Sequence, residues 1–210
     1  MVKYYDESRF LGQNITDLAN IILTGDTRQR WAYETQIFAD AMINQMSITE
    51  RSLILDYGVG IGRIAKELIH KTGCSVIGVD ISEDMLRESV SYVSHQNYTA
   101  MSLHQYQNMV KEGKIEVDGA YSIWVLQHCD FEPAYQTILR SLPKGAPFFI
   151  ANTINRCVPV IPRGWADDGL DIRARLRQDF NLTRDATNDL EKHLPENHYS
   201  RVFCEFMCKL

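Results

Sequence analysis

The chain reads as an α/β protein, a mainly parallel sheet with helices on both faces. Three observations predict it. Apolar runs of strand length recur at 52–57, 75–79, 118–126 and 148–152, and runs with little polar alternation belong to strands covered on both sides. Between the first three of them the apolar residues change to helical spacing, which is the strand-then-helix order of a parallel sheet. Glycine or aspartate closes the first two runs, at the carboxyl ends of strands, where ligands of such sheets bind.

Taken in order, an apolar stretch at 18–23 ends at Thr24-Gly25-Asp26. Asp26 or Thr27 can cap a helix over about 28–46, with Trp31, Phe38, Ala41 and Met42 on its apolar face. The run SLILDY predicts a buried strand. Ile61, Ala65, Leu68 and Ile69 then recur at helical spacing. SVIGV is a second strand ending at Asp80, and Ser82 can cap a helix to about 95 that turns Met85, Leu86, Val90 and Val93 inward. A weaker strand is expected at 99–103, with a short polar helix at 107–113. The third clear strand is 118–126, and Pro133 fits the first turn of a helix running to Leu142. After the strand at 148–152 come a proline-interrupted loop at 156–169, a helix at 170–180 and an alternating tail at 201–210 that predicts a terminal strand. At about 150 residues per domain, 210 residues point to one domain over 1–210. Within it 1–48 forms a helical cap and 153–180 a lid or substrate region.

Composition narrows the function. Twenty-seven acids against 22 Lys and Arg leave a net charge of −5, which disfavours a nucleic-acid partner needing a basic face for phosphates. No apolar run reaches the roughly 18 residues of a membrane span, and the first ten residues hold no apolar signal core, so no membrane partner and a cytoplasmic location are expected. Cys74, Cys129, Cys157, Cys204 and Cys208 follow no metal-ligand spacing. No metal is expected, and the thiols are read as free and mostly buried.

The sharpest motif is Asp56-Tyr57-Gly58-Val59-Gly60-Ile61-Gly62-Arg63. Glycines at a strand-to-helix turn permit tight dihedrals and let a ligand approach the backbone. A dinucleotide loop places its third glycine five residues after the first, where this chain has Arg63. A carboxylate at Asp56 would repel a pyrophosphate and attract an ammonium group. Asp80 ends the second strand, where an acid accepts hydrogen bonds from ribose hydroxyls. Arg63 reads as a helix-surface cation or as a contact for a substrate carboxylate or phosphate.

Together these residues resemble the Rossmann-like, class I S-adenosylmethionine-dependent methyltransferases. DYGVGIG looks like that family's glycine motif, VIGVDISEDML its acidic second strand end, DGAYSIWVLQH its fourth-strand motif, and LPKGAPFFIAN the turn into its fifth strand. The resemblance covers about 50–152 and implies a seven-stranded sheet in the order three-two-one-four-five-seven-six, the last strand antiparallel. It also implies S-adenosyl-L-methionine as cofactor, with S-adenosyl-L-homocysteine as product. Asp56 and the backbone at Gly58, Gly60 and Gly62 would hold the methionyl part, and Asp80 the ribose. Ile81 and Met85 would line the adenine, and Ile123 and Trp124 would close the methionyl side. The family often has an acid after the third strand; this chain has Met101-Ser102-Leu103-His104, so Ser102 or a backbone carbonyl is left for the adenine.

Methyl transfer needs orientation above all, and a proton acceptor when the acceptor group is a hydroxyl or protonated amine. His128 follows the fourth strand and suits that role by its ordinary titration range; it equally suits a loop anchor. The charge balance and the lack of an (Asp/Asn)-Pro-Pro-aromatic stretch at 124–127 turn the reading from nucleic acid toward a small-molecule or glycan-like acceptor. A catalytically silent cofactor-binding protein and a nicotinamide-dependent oxidoreductase are the rival readings.

Overall fold

The structure is a computed structural model that describes residue 12 and residues 15–22, 27–154, 158–160, 164–166, 169–191 and 202–210. Five parallel strands form its centre: β1 (Leu53–Tyr57), β2 (Ser75–Asp80), β3 (Tyr98–Ser102), β4 (Gly119–Ile123) and β5 (Pro147–Thr153). Two further strands, β8 (Phe180–Asp185) and β9 (Val202–Lys209), complete a seven-stranded sheet in the order β3-β2-β1-β4-β5-β9-β8. The last two pairings are antiparallel. This is the expected strand order, with β8 and β9 as the sixth and seventh strands of the sheet. A separate antiparallel pair, β6 (Val158–Val160) and β7 (Gly164–Ala166), lies in the stretch expected as a proline-interrupted loop.

Alternate residues of each strand feed two cores. Ile54, Val76, Tyr121, Phe149 and Phe206 face one side, with Phe38 and Met42 of α2 (Thr27–Gln45) and with Ala65, Leu68 and Ile69 of α3 (Arg63–Thr72). Leu55, Ile77, Ala120, Phe148 and Phe203 face the other, with Tyr135 and Ile138 of α6 (Phe131–Ser141) and Ile172 and Leu176 of α7 (Ile172–Leu176). Burial on both faces is why these strands read as continuous apolar runs. A third, smaller cluster joins Leu18 of α1 (Ile15–Ile22) to Ile61 and Met85. No described helix is long and apolar enough to cross a membrane.

Several boundaries differ from the sequence reading, each for a local reason. The helix expected at 107–113 is α5 (Leu103–Lys111), which starts early because Ser102 Oγ accepts the Gln105 N–H at 3.2 Å. The fourth strand stops at Ile123 because Trp124 takes φ 62, which turns the chain out of the sheet. On α4 (Glu83–Val93) Met85 and Val93 point inward as expected, but Val90 is 54% exposed and Ser89 is buried in its place. Ser89 accepts the Tyr98 hydroxyl at 2.8 Å and lies against Gly62; its small side chain lets the helix sit close to the glycine turn. The helix expected at 170–180 is only Ile172–Leu176, and the chain then enters β8. The expected cap Asp26 and one of the five cysteines, Cys157, lie outside the described residues; Cys74 and Cys204 are buried, Cys129 and Cys208 partly buried.

Candidate active site

The carboxyl ends of β1, β2 and β4 converge on the glycine turn. Gly58, Gly60 and Gly62 all have positive φ (84, 54 and 81), the region L side chains avoid. Gly58 and Val59 donate N–H bonds to Val79 O at 2.7 and 3.0 Å, and Gly62 donates to Val59 O at 2.9 Å before starting α3. A Cβ on Gly58 would lie 2.2 Å from Val125 Cγ2, and one on Gly62 2.5 Å from Val93 Cγ2. The turn is therefore glycine for two reasons at once: its dihedrals, and the close seating of the β4 loop and α4 against it.

Asp80 is tied to this turn. Its Oδ2 accepts the Gly60 N–H at 2.9 Å and its Oδ1 the Ser82 N–H at 3.0 Å. Burial raises its pKa, and the N–H groups of Ser82, Gly60 and Ile81 pull the other way. A carboxylate has about four lone-pair sites, so the group can still accept from a ligand. Ser82 also caps α4, its side chain accepting the Met85 N–H, so capping and Asp80 are separate functions.

Asp56 sits mid-sheet, opposite Gly78 on β2 and Tyr121 on β4, and is only 4% exposed. The Tyr121 hydroxyl donates to its Oδ2 at 2.6 Å. Burial pushes the Asp56 pKa up to about 7, Tyr121 lowers it, the Asp80 charge raises it, and the Arg63 charge lowers it. A buried carboxylate shifted this far marks a functional-site candidate.

Arg63 corrects the sequence reading. It is buried, with Nη1 donating to Thr35 Oγ1 at 2.9 Å and Nη2 3.4 Å from Glu34 Oε2. The guanidinium thus clamps α2 onto the start of α3 instead of facing solvent.

The other expected contacts fall as follows. Ile81 is 43% exposed beyond β2, whereas Met85 is buried under Leu18 of α1, with Trp31 packed beside them. Ser102 lies opposite Asp80 in the β2–β3 register and spends its hydroxyl on capping α5. Ile123 and Trp124 end β4 against the first core, and Trp124 Nε1 is a buried donor with no hydrogen-bond partner among the described residues. His128 lies partly buried in the loop after β4, its Nε2 2.9 Å from Gln127 Nε2. Gln127 and Tyr121 were not singled out in the sequence; nothing in a polar residue or a strand tyrosine marks it as a partner of a site residue until the strands pair. Among the described residues no group of three His, Cys, Asp or Glu could hold a metal ion.

A doubly wound sheet with a glycine turn after its first strand and an acid after its second defines the Rossmann-like class, whose ligands sit at this end of the sheet. A family model described as a methyltransferase domain matches residues 54–145. The chain is 27% identical over 116 residues, 54% of its length, to a protein named methyltransferase phqN from Penicillium fellutanum, and the match spans 36% of that protein. A putative sarcosine dimethylglycine methyltransferase from Galdieria sulphuraria shares its fold with TM-score 0.62 at 14% identity, over 96% of this chain and 92% of the other. The Haemonchus contortus phosphoethanolamine N-methyltransferase 2 in complex with S-adenosyl-L-methionine gives TM-score 0.60 at 16% identity, over 95% and 60%. These likenesses support a class I S-adenosylmethionine-dependent methyltransferase domain over residues 54–145.

Proposed function

We propose that the chain is an S-adenosylmethionine-dependent methyltransferase acting on a small-molecule or glycan-like acceptor. The observation that carries the reading is the bond from Gly60 N–H to Asp80 Oδ2, which locks the glycine turn and the acid into one receptor. The residues suit the cofactor. Asp56, poised near neutrality, matches the ammonium of a methionyl group. Asp80 keeps acceptor capacity for the ribose, and the half-exposed Ile81 offers an apolar face for adenine. On this reading Met85 and Ser102 join Ile81 at the adenine, and Gly58, Gly62, Ile123 and Trp124 line the methionyl side. When bound, the cofactor supplies a methyl group on a sulfonium, already activated for in-line displacement.

The protein's own contribution is then orientation. The stretch 1–48 acts as a cap, supported by Leu18 lying buried on Ile61 and Met85; 153–180 acts as the lid side, supported by the β6–β7 pair following β5. His128, in the loop after β4, is the proposed residue at the acceptor. The net charge of −5 favours a small acceptor over nucleic acid, and a cytoplasmic location goes with it.

The test is calorimetry with S-adenosyl-L-homocysteine, with NAD as the control ligand. Asp80→Ala removes an acceptor of charged hydrogen bonds worth about 1.5–3 kcal/mol, so affinity should fall roughly 10- to 150-fold. Unchanged affinity in the variant, or a preference for NAD, overturns the cofactor assignment. Transfer of labelled methyl to a metabolite pool separates an enzyme from a silent binder.

A further inference from the structure

The turn after β4 is held by a side chain that the proposed chemistry does not use. Gln127 is 7% exposed, and the two ends of its amide face different residues. Thr153, which ends β5, donates its backbone N–H to Gln127 Oε1 at 2.7 Å. On the other side Gln127 Nε2 lies 2.9 Å from His128 Nε2. A backbone N–H can only donate, so the atom facing Thr153 is the amide oxygen and the atom facing His128 is the NH2 group. An NH2 group also only donates, so His128 Nε2 must present its lone pair to it.

We propose that Gln127 is a positioning residue that sets the protonation of His128, holding the ring neutral with its one proton on Nδ1. The charged ring carries N–H at both nitrogens, and that would set one N–H against the Gln127 NH2 group. The same contact therefore opposes protonation. The Nδ1–H ring has a single lone pair, at Nε2, and Gln127 engages it. Taking a proton from a substrate requires the ring to leave Gln127 first. On the methyltransferase reading, on which this step rests, the small-molecule or glycan-like class narrows to acceptors that need no base, such as a neutral amine or a thiolate.

Nitrogen-15 spectra of the histidine rings read the tautomer directly, and His128→Asn assigns its signals among the six histidines. In the wild type His128 should show a pyrrole-type Nδ1 and a pyridine-type Nε2. Gln127→Glu keeps an oxygen for the Thr153 N–H and puts a second oxygen where the NH2 group was. Its ring should carry the proton on Nε2 and take up a second proton at higher pH than the wild type. Gln127→Met removes both contacts, and the preference for the Nδ1–H tautomer should weaken. A wild-type ring protonated on Nε2, or one tautomer shared by all three proteins, overturns the proposal; should neither variant fold, the wild-type spectrum alone decides. The spectra need no cofactor or substrate. S-adenosyl-L-homocysteine affinity, measured on the same samples, reports separately on the methyltransferase reading.

Discussion

Asp56→Asn should stabilise the ligand-free protein above neutral pH and weaken the cofactor's grip at the same time. The Asp56 pKa is raised from 3.8 to about 7, mainly by burial. A group whose folded pKa lies above its unfolded one binds its proton more tightly in the native state. Its ionised form is therefore a native-state penalty, absent below about pH 4, growing through the window between the two values, and complete above about pH 7. A shift of roughly three units at 1.36 kcal/mol each corresponds to about 4 kcal/mol. Asparagine has the same shape, never ionises, and keeps an oxygen for the Tyr121 hydroxyl, which lies 2.6 Å from the carboxylate. Urea unfolding of wild type and variant across this range isolates the group as a difference of differences. The variant's advantage should be near zero at about pH 4 and approach about 4 kcal/mol at about pH 8. Affinity for S-adenosyl-L-homocysteine should fall in the variant, because an ammonium loses its carboxylate. A stability difference that does not change with pH would refute the reasoning.

Two further substitutions probe the frame around the site. Gly58→Ala combines a left-handed φ of 84 with a Cβ 2.2 Å from Val125, and dihedral strain plus overpacking should lower stability by about 2–5 kcal/mol. The double variant Gly58→Ala with Val125→Ala should recover part of that loss in thermal unfolding; no recovery would mean that the dihedral alone matters. Glu205→Ala strips the carboxylate from Arg173 and from Arg177, whose Nη2 lies 2.6 Å from Glu205 Oε1. Breaking such a buried pair from one side costs roughly 3–5 kcal/mol. The lower end is expected because both arginines are partly exposed and Arg173 keeps Asp185. Denaturant midpoints check this, and a neutral result would show that α7 docks through Ile172 and Leu176 alone.

Much of the frame was legible because its signals are local. The runs at 52–57, 75–79 and 148–152 are buried on both faces and so spell out strands in a few consecutive residues. The glycine turn was legible for the same reason: L side chains avoid those dihedrals, so the chemistry is written in the residue type. The edge strand β8 was not. Of its six residues only Phe180 is buried, and an edge strand with one buried position has neither an apolar run nor an alternation to betray it. The helix α7 is shorter than the sequence predicts because the chain from Phe180 onward pairs with β9.

The site divides in the same way. That Asp56, Gly58, Gly60, Gly62 and Asp80 share one end of the sheet follows from the sequence alone, because each sits at a strand terminus and parallel strands end together. What those residues experience was decided by tertiary structure. Arg63 reads as a surface cation in the helix pattern and is buried only because α2 brings Glu34 and Thr35 to it. The Asp56 pKa is pushed up to about 7 because the packed strands remove its water, against the bond from Tyr121 on β4 that lowers it. His128 is a histidine in any reading, but its lone pair is engaged by a neighbour whose orientation depends on Thr153, 26 residues along the chain. Residue type and strand periodicity act within a few residues and survive in a one-dimensional string. Burial, charge proximity and hydrogen-bond direction are properties of pairs far apart in sequence, and they come into being only when the sheet closes.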